Sequence, residues 1–207
     1  MGARSAVTAV LWDADGVLQQ VPASWFELLG QAIGDEESLA LLDLLLPQME
    51  DAARGKVAMT EQLPAALEER GLAEHADRVS EVWGTIERVE SARSFVRELR
   101  QAGFGCHLAT NQDDLRASYM RARMGYADLL DRCFYSCEIG AAKPDEEFFH
   151  RVATELDVEL RELVFVDDTL ENVHAAQACG LPAVLWHHRD GVDVLREQLE
   201  ALGVTSP

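Results

Sequence analysis

Apolar residues along this chain follow two rhythms. In four places they form short unbroken blocks of strand-prone residues, each cut off by polar ones. The run AVTAVLW at 6–12 stops at Asp13, GCHLA at 105–109 stops at Thr110 and Asn111, LVFV at 163–166 stops at Asp167 and Asp168, and AVLW at 183–186 stops at His187 and His188. Blocks of this length without polar alternation suit a strand buried on both faces. Residues 132–136 are a weaker candidate of the same kind. Between the blocks the period becomes helical: 92–102 puts Phe95, Val96 and Leu99 on one face and ends at Gly103, and 114–124 and 146–156 behave alike. Alternating strand and helix predicts an α/β fold, a Rossmann-like three-layer core around a parallel sheet. Ligands of such a sheet gather at the carboxyl ends of its strands, where all four polar breaks fall.

The stretch from about 18 to 88 departs from this alternation and offers helices without a convincing strand. Ser24 and Glu27 have capping-box spacing ahead of Trp25, Phe26, Leu28, Leu29, Ala32 and Ile33, with Gly34 as a stop. Residues 38–46 are strongly apolar, 60–70 end at Gly71, and 75–86 carry Trp83. The expected organisation is a catalytic core of 1–18 and 89–207 interrupted by a helical cap of 19–88. Trp25 and Trp83 are expected to pack helices together rather than to face a ligand.

Composition narrows the partners. With 18 Lys+Arg against 37 Asp+Glu, the formal charge of −19 disfavours nucleic acid and anionic membrane surfaces. It does not exclude a small anion, because a cation, a lysine and helix N-termini make one pocket locally positive. Cys106, Cys133, Cys137 and Cys179 include no Cys-x-x-Cys pair and read as reduced thiols. The first apolar run is too short for a signal-peptide core, and no segment approaches the roughly 20 apolar residues of a membrane span. A cytoplasmic location is the default expectation.

Asp13 and Asp15, one residue apart at a strand end and followed by Gly16, are the strongest chemical signal. Alone they could be an ordinary polar turn. As chemistry, one carboxylate attacks phosphorus while the other protonates the leaving oxygen and later activates water. Asp167 and Asp168, with Asn172 after them, could be a helix cap; together with Asp13 and Asp15 they make a better oxygen-donor site for a divalent cation. Thr110 and Asn111 could likewise be a cap, or could hydrogen-bond phosphate oxygens. Lys143, before Pro144 and a helix, gains significance only in this company.

The ordered set DADGVL at 13–18, Thr110-Asn111, GAAKPD at 140–145 and FVDDTLENV at 165–173 resembles the haloacid dehalogenase-like hydrolase superfamily over nearly the whole chain. It is most similar to the phosphatases with a helical cap inserted after the first strand. The resemblance implies that Asp13 is the nucleophile forming an aspartyl-phosphate and Asp15 the general acid/base. It implies Mg²⁺ on the Asp13 carboxylate, the Asp15 backbone carbonyl and Asp168. Thr110 would bind the phosphoryl group with Asn111 beside it, Lys143 would hold Asp13 and phosphate together, and Asp167 would orient Lys143, with Asn172 in support. Superfamily members that cleave carbon–halogen bonds lack an acid at the position of Asp15, so a phosphate ester is the expected substrate.

The expected activity is therefore Mg²⁺-dependent removal of phosphate from a small phosphorylated metabolite such as a sugar phosphate. The alternatives are a phosphomutase of the same fold and a non-catalytic phosphate- or metal-binding protein. His75, His150, His174, His187 and His188 fit no triad or metal spacing and are expected at the surface or rim. Periodicity leaves the oligomeric state open.

Overall fold

A computed structural model of the protein describes residues 6–205. The chain opens with β1 (Ala9–Trp12) and a short strand β2 (Gln19–Gln20), then passes through helices α1 (Trp25–Ile33), α2 (Asp35–Leu45), α3 (Met49–Ala53), α4 (Met59–Glu69) and α5 (Ala76–Gly84). Strand β3 (Glu87–Arg88) returns to pair antiparallel with β2. Strand and helix then alternate through α6 (Glu90–Gln101), β4 (Gly105–Thr110), α7 (Asp114–Arg123), α8 (Tyr126–Leu129), β5 (Arg132–Tyr135) and α9 (Ser136–Ile139). The last elements are α10 (Glu146–Leu156), β6 (Leu163–Asp167), α11 (Leu170–Ala178), β7 (Ala183–Leu185) and α12 (Val192–Ala201).

The main sheet is parallel throughout, in the order β5-β4-β1-β6-β7. Successive strand residues face opposite sides, so the unbroken apolar blocks feed two cores. Val10 and Trp12 join Cys106, Leu108, Val164 and Val166 on one face, beneath Phe95, Val96 and Leu99 of α6 and Leu195 and Leu199 of α12. Ala9 and Leu11 join Ala109, Leu163 and Phe165 on the other, beneath Phe148, Phe149 and Val152 of α10. Trp12 is fully buried and meets Phe95 edge-on at 6.4 Å; truncating such a side chain costs about 3–5 kcal/mol.

Helices α1–α5 have a core of their own, built from Leu29, Leu41, Leu45, Leu63, Leu67, Val79 and Trp83. Trp25 and Trp83 meet at 5.9 Å, and Trp25 Nε1 donates to the Val82 carbonyl at 2.8 Å, so both rings serve packing. Among the described residues no helix is long and apolar enough to cross a membrane.

Three expectations need correction. The Ser24 capping box does not form: Ser24 lies in a turn with φ −81° and ψ 1°, and its side chain caps nothing. An N-cap that bonds through its side chain normally has extended backbone. The segment 18–88 is not free of strand, since β2 and β3 fasten its two ends together. They escape periodicity because each is two polar residues long. Finally, β1 begins at Ala9 rather than at residue 6.

Candidate active site

The register of the sheet brings the chemistry together. Trp12 lies opposite both Leu108 and Val166, so β1, β4 and β6 end at the same edge. Asp13 follows Trp12 directly, and its N–H donates to the Val166 carbonyl at 2.9 Å. Thr110 and Asp167 are the last residues of β4 and β6.

Lys143 enters from the loop between α9 and α10 and is buried. Its Nζ lies 2.6 Å from Asp13 Oδ1 and 2.7 Å from Asp167 Oδ2. Both neighbours fix the ammonium. Asp167, fully buried, also accepts from the Thr169 N–H at 2.7 Å and from Asn172 Nδ2 at 3.1 and 3.2 Å. Asn111 brackets the lysine backbone: its Oδ1 accepts from the Lys143 N–H at 2.9 Å and its Nδ2 donates to the Lys143 carbonyl at 2.7 Å. The Lys143–Pro144 peptide is cis. The Asn111 amide is thus engaged with the Lys143 loop, a role that Thr110-Asn111 as a pair did not suggest.

Carboxylate oxygens of Asp13, Asp167 and Asp168 lie within 4.8 Å of one another. Gly16 makes room for the third of them: with φ +77°, a Cβ there would stand 2.1 Å from Asp168 Oδ2. Burial pushes the Asp13 carboxyl up to about 7, against the pull of Lys143 and with the help of Asp167. Asp168 is raised as well, by burial first and then by Asp167. Burial works against the charge on Lys143, but Asp13 and Asp167 outweigh it and hold the ammonium above its usual range. Three carboxylates therefore share one cation. Oxygens of Asp13 and Asp168 form the hard, all-oxygen donor set that Mg²⁺ favours, so the residues fit that ion. Asp167 is the poorer ligand, because Lys143, Thr169 and Asn172 already occupy both its oxygens.

Asp15 is 40% exposed and is held from the core side. Its Oδ1 accepts from Gln19 Nε2 at 3.1 Å, its Oδ2 from Gln112 Nε2 at 2.7 Å, and Arg116 Nη2 reaches both, at 2.9 and 3.1 Å. None of these three partners stands out in the sequence: Gln19 is in the two-residue strand β2, Gln112 lies in the loop before α7, and Arg116 is on α7, where a polar residue is ordinarily solvated. A cleft of about 610 Å³ is lined by Asp13, Asp15, Thr110, Asn111, Lys143 and Asp168, and also by His187, His188 and Arg189. The two imidazoles, expected at a rim, stack at 4.4 Å. All four cysteines are free.

The profile of the haloacid dehalogenase-like hydrolases matches residues 7–180. The chain belongs to that family. It is 36% identical over 110 residues to the sesquiterpene phosphatase astK of Aspergillus oryzae, an alignment spanning 53% of this chain and 55% of that protein. With the drimenol cyclase drtB of Aspergillus calidoustus it shares 32% identity over 103 residues, 48% of this chain and 20% of that one. The chain thus spans about half or less of the length of these two relatives. A phosphoglycolate phosphatase of Xanthomonas campestris is 26% identical, over 89% of this chain and 86% of that protein. Among solved structures, a HAD-like hydrolase from Porphyromonas gingivalis superposes with a TM-score of 0.75 at 18% identity, over 93% of this chain and 98% of the other. A family enzyme from Bacteroides thetaiotaomicron, solved as an aspartate-to-alanine mutant with magnesium and inorganic phosphate, gives 0.74 at 17% identity, over 87% and 94%. These likenesses agree with the fold described above.

Proposed function

We propose that this hydrolase is a Mg²⁺-dependent phosphatase that removes phosphate from a small phosphomonoester through an aspartyl-phosphate on Asp13. The observation that carries the reading is the pairing of a buried Asp13, held at 2.6 Å by Lys143, with Asp15 two residues on in the same cleft. Phosphoryl transfer needs an in-line nucleophile and neutralised charge on the equatorial oxygens. Asp13 supplies the nucleophilic oxygen. Lys143 places a fixed ammonium beside it, in a site dry enough for that charge to act strongly. The Thr110 hydroxyl hydrogen-bonds the phosphoryl oxygens, with Asn111 keeping Lys143 in place. Asp15 gives a proton to the leaving alkoxide and then takes one from the water that releases phosphate. Mg²⁺, held by the Asp13 and Asp168 carboxylates and the Asp15 backbone carbonyl, would neutralise charge on the transferring group.

The phosphatases among the relatives, and the magnesium and phosphate bound to a solved family member, support this reading. In it, residues 1–18 and 89–207 are the catalytic core and 19–88 a cap that shields the aspartyl-phosphate from bulk water. A cap over the cleft favours a small metabolite, sugar phosphates included, over a phosphoprotein or polynucleotide, and the acidic surface points the same way. A cytoplasmic setting fits such a substrate.

The test is phosphate release from an aryl phosphate, phosphoglycolate and a panel of sugar and prenyl phosphates, with Mg²⁺ or EDTA, for wild type and Asp13→Asn. Metal-dependent release abolished by the substitution is the expected result. A folded wild type that releases nothing would shift the assignment to a mutase or a non-catalytic binder.

A further inference from the structure

Resting on the phosphatase reading, we propose that Arg116 is a positioning residue for the reaction, holding the Asp15 carboxylate in the pose from which it protonates the leaving group. Asp15 is the exposed end of a braced network. Arg116, 14% exposed, donates from Nη2 to both Asp15 oxygens and from Nε to Gln112 Oε1 at 2.9 Å, while Gln112 Nε2 donates to Asp15 Oδ2 at 2.7 Å. The three side chains close a ring. On the far side Gln19 Nε2 donates to Asp15 Oδ1, and Gln19 is itself fixed by the Tyr126 hydroxyl, which donates to its Oε1 at 2.8 Å. Arg116 is anchored in turn, since its N–H donates to Asp113 Oδ1 at 2.8 Å, and Asp113 Oδ2 accepts from Trp83 Nε1 at 3.2 Å. The planar guanidinium engages Gln112 from Nε and Asp15 from Nη2, two nitrogens in a fixed fork that the single nitrogen of an ammonium does not reproduce.

A salt bridge that only decorates the fold contributes little, and its loss treats all substrates alike. A residue that acts through the acid must discriminate by leaving group. A nitrophenolate departs without a proton, whereas an alkoxide needs one in the transition state. The constant to compare is kcat/KM, which closes with phosphoryl transfer to Asp13 and excludes the later water step. Arg116→Met should lower kcat/KM for a primary alkyl phosphate by about tenfold or more and change that for p-nitrophenyl phosphate little, with Arg116→Lys in between. A crystal structure of Arg116→Met should show the Asp15 carboxylate in a different rotamer.

Equal effects of Arg116→Met on the two esters overturn the assignment, and so does an Asp15 that keeps its rotamer. If Arg116→Met does not fold, the same ratio measured on Arg116→Lys decides. A wild type that cleaves neither ester in Mg²⁺ removes the phosphatase reading and this role with it. A wild type that cleaves both, with no selectivity in the variants, removes the role of Arg116 alone.

Discussion

Asp168 and Lys143 have opposite effects on one buried cluster, and substitutions at the two should move stability in opposite directions. Asp168 adds a third carboxylate beside Asp13 and Asp167, so without metal it destabilises the fold by like-charge repulsion. Asp168→Asn is expected to melt at or above the wild-type temperature in EDTA. It should also lack the stabilisation that Mg²⁺, bound as proposed, should give the wild type, about 2.7 kcal/mol when the ion is present at 100 times its Kd. Differential scanning calorimetry with and without Mg²⁺ checks both. Lys143→Met strands Asp13 and Asp167 without their cation and should cost about 3–5 kcal/mol in urea denaturation. Away from the site, His107 is buried in β4 against Phe134, and burial holds its pKa below 6.5 despite the nearby Asp131. The folded imidazole stays neutral where the unfolded one takes a proton, so stability is lost as pH falls below 6.5. Urea denaturation from pH 8 to 5 should show a steeper acid loss for wild type than for His107→Leu; parallel curves would mean that His107 does not contribute.

Elements differ in how plainly they announce themselves, and the reason is physical. Strands β1, β4 and β6 are buried on both faces, so apolar blocks mark them, and the polar residues that end them lie at the carboxyl edge because parallel register puts them there. Hence Asp13, Thr110 and Asp167 could be grouped before any coordinates. The β2–β3 pair lacks a hydrophobic signature, and the Ser24 pattern was overruled by a local turn. The braces of Asp15 were hidden because Gln112 and Arg116 are unremarkable at a helix start until a distant residue is set against them. The head of α4 hides a similar arrangement. Its own N-cap, Ala58, has no side-chain acceptor, and Asp114 of α7 supplies one, with Oδ1 accepting from the Met59 N–H at 2.6 Å and Oδ2 paired with the Thr60 hydroxyl. Asp114→Ala removes a cap donated from the core to the helical segment. It should cost about 1 kcal/mol and speed limited proteolysis at 54–58, the connection into α4. Unchanged cleavage there would mean that the segment is held by its other contacts.

At the scale of the whole molecule, a formal charge of −19 surrounds a cleft proposed to take an anion. Two fields compete, and distance decides between them. Inside the cleft Lys143, buried and so shielded from salt, and the Mg²⁺ of the proposed reaction would act on the phosphate at short range. During approach the ester meets the summed field of the surface instead, which is repulsive and reaches about 30 Å at 0.01 M salt but only about 8 Å at 0.15 M. An acidic enzyme of this kind should therefore capture a phosphate dianion more slowly at low salt, the reverse of a site with a positive mouth. With Mg²⁺ saturating, kcat/KM for a dianionic phosphomonoester should rise as NaCl increases over that interval, while kcat at saturating ester stays nearly constant. The melting temperature should rise in parallel, because salt also screens the self-repulsion of the fold. A kcat/KM that falls with salt while the melting temperature rises would show that Arg189, which lines the cleft, gives it a local positive mouth strong enough to overcome the acidic surface.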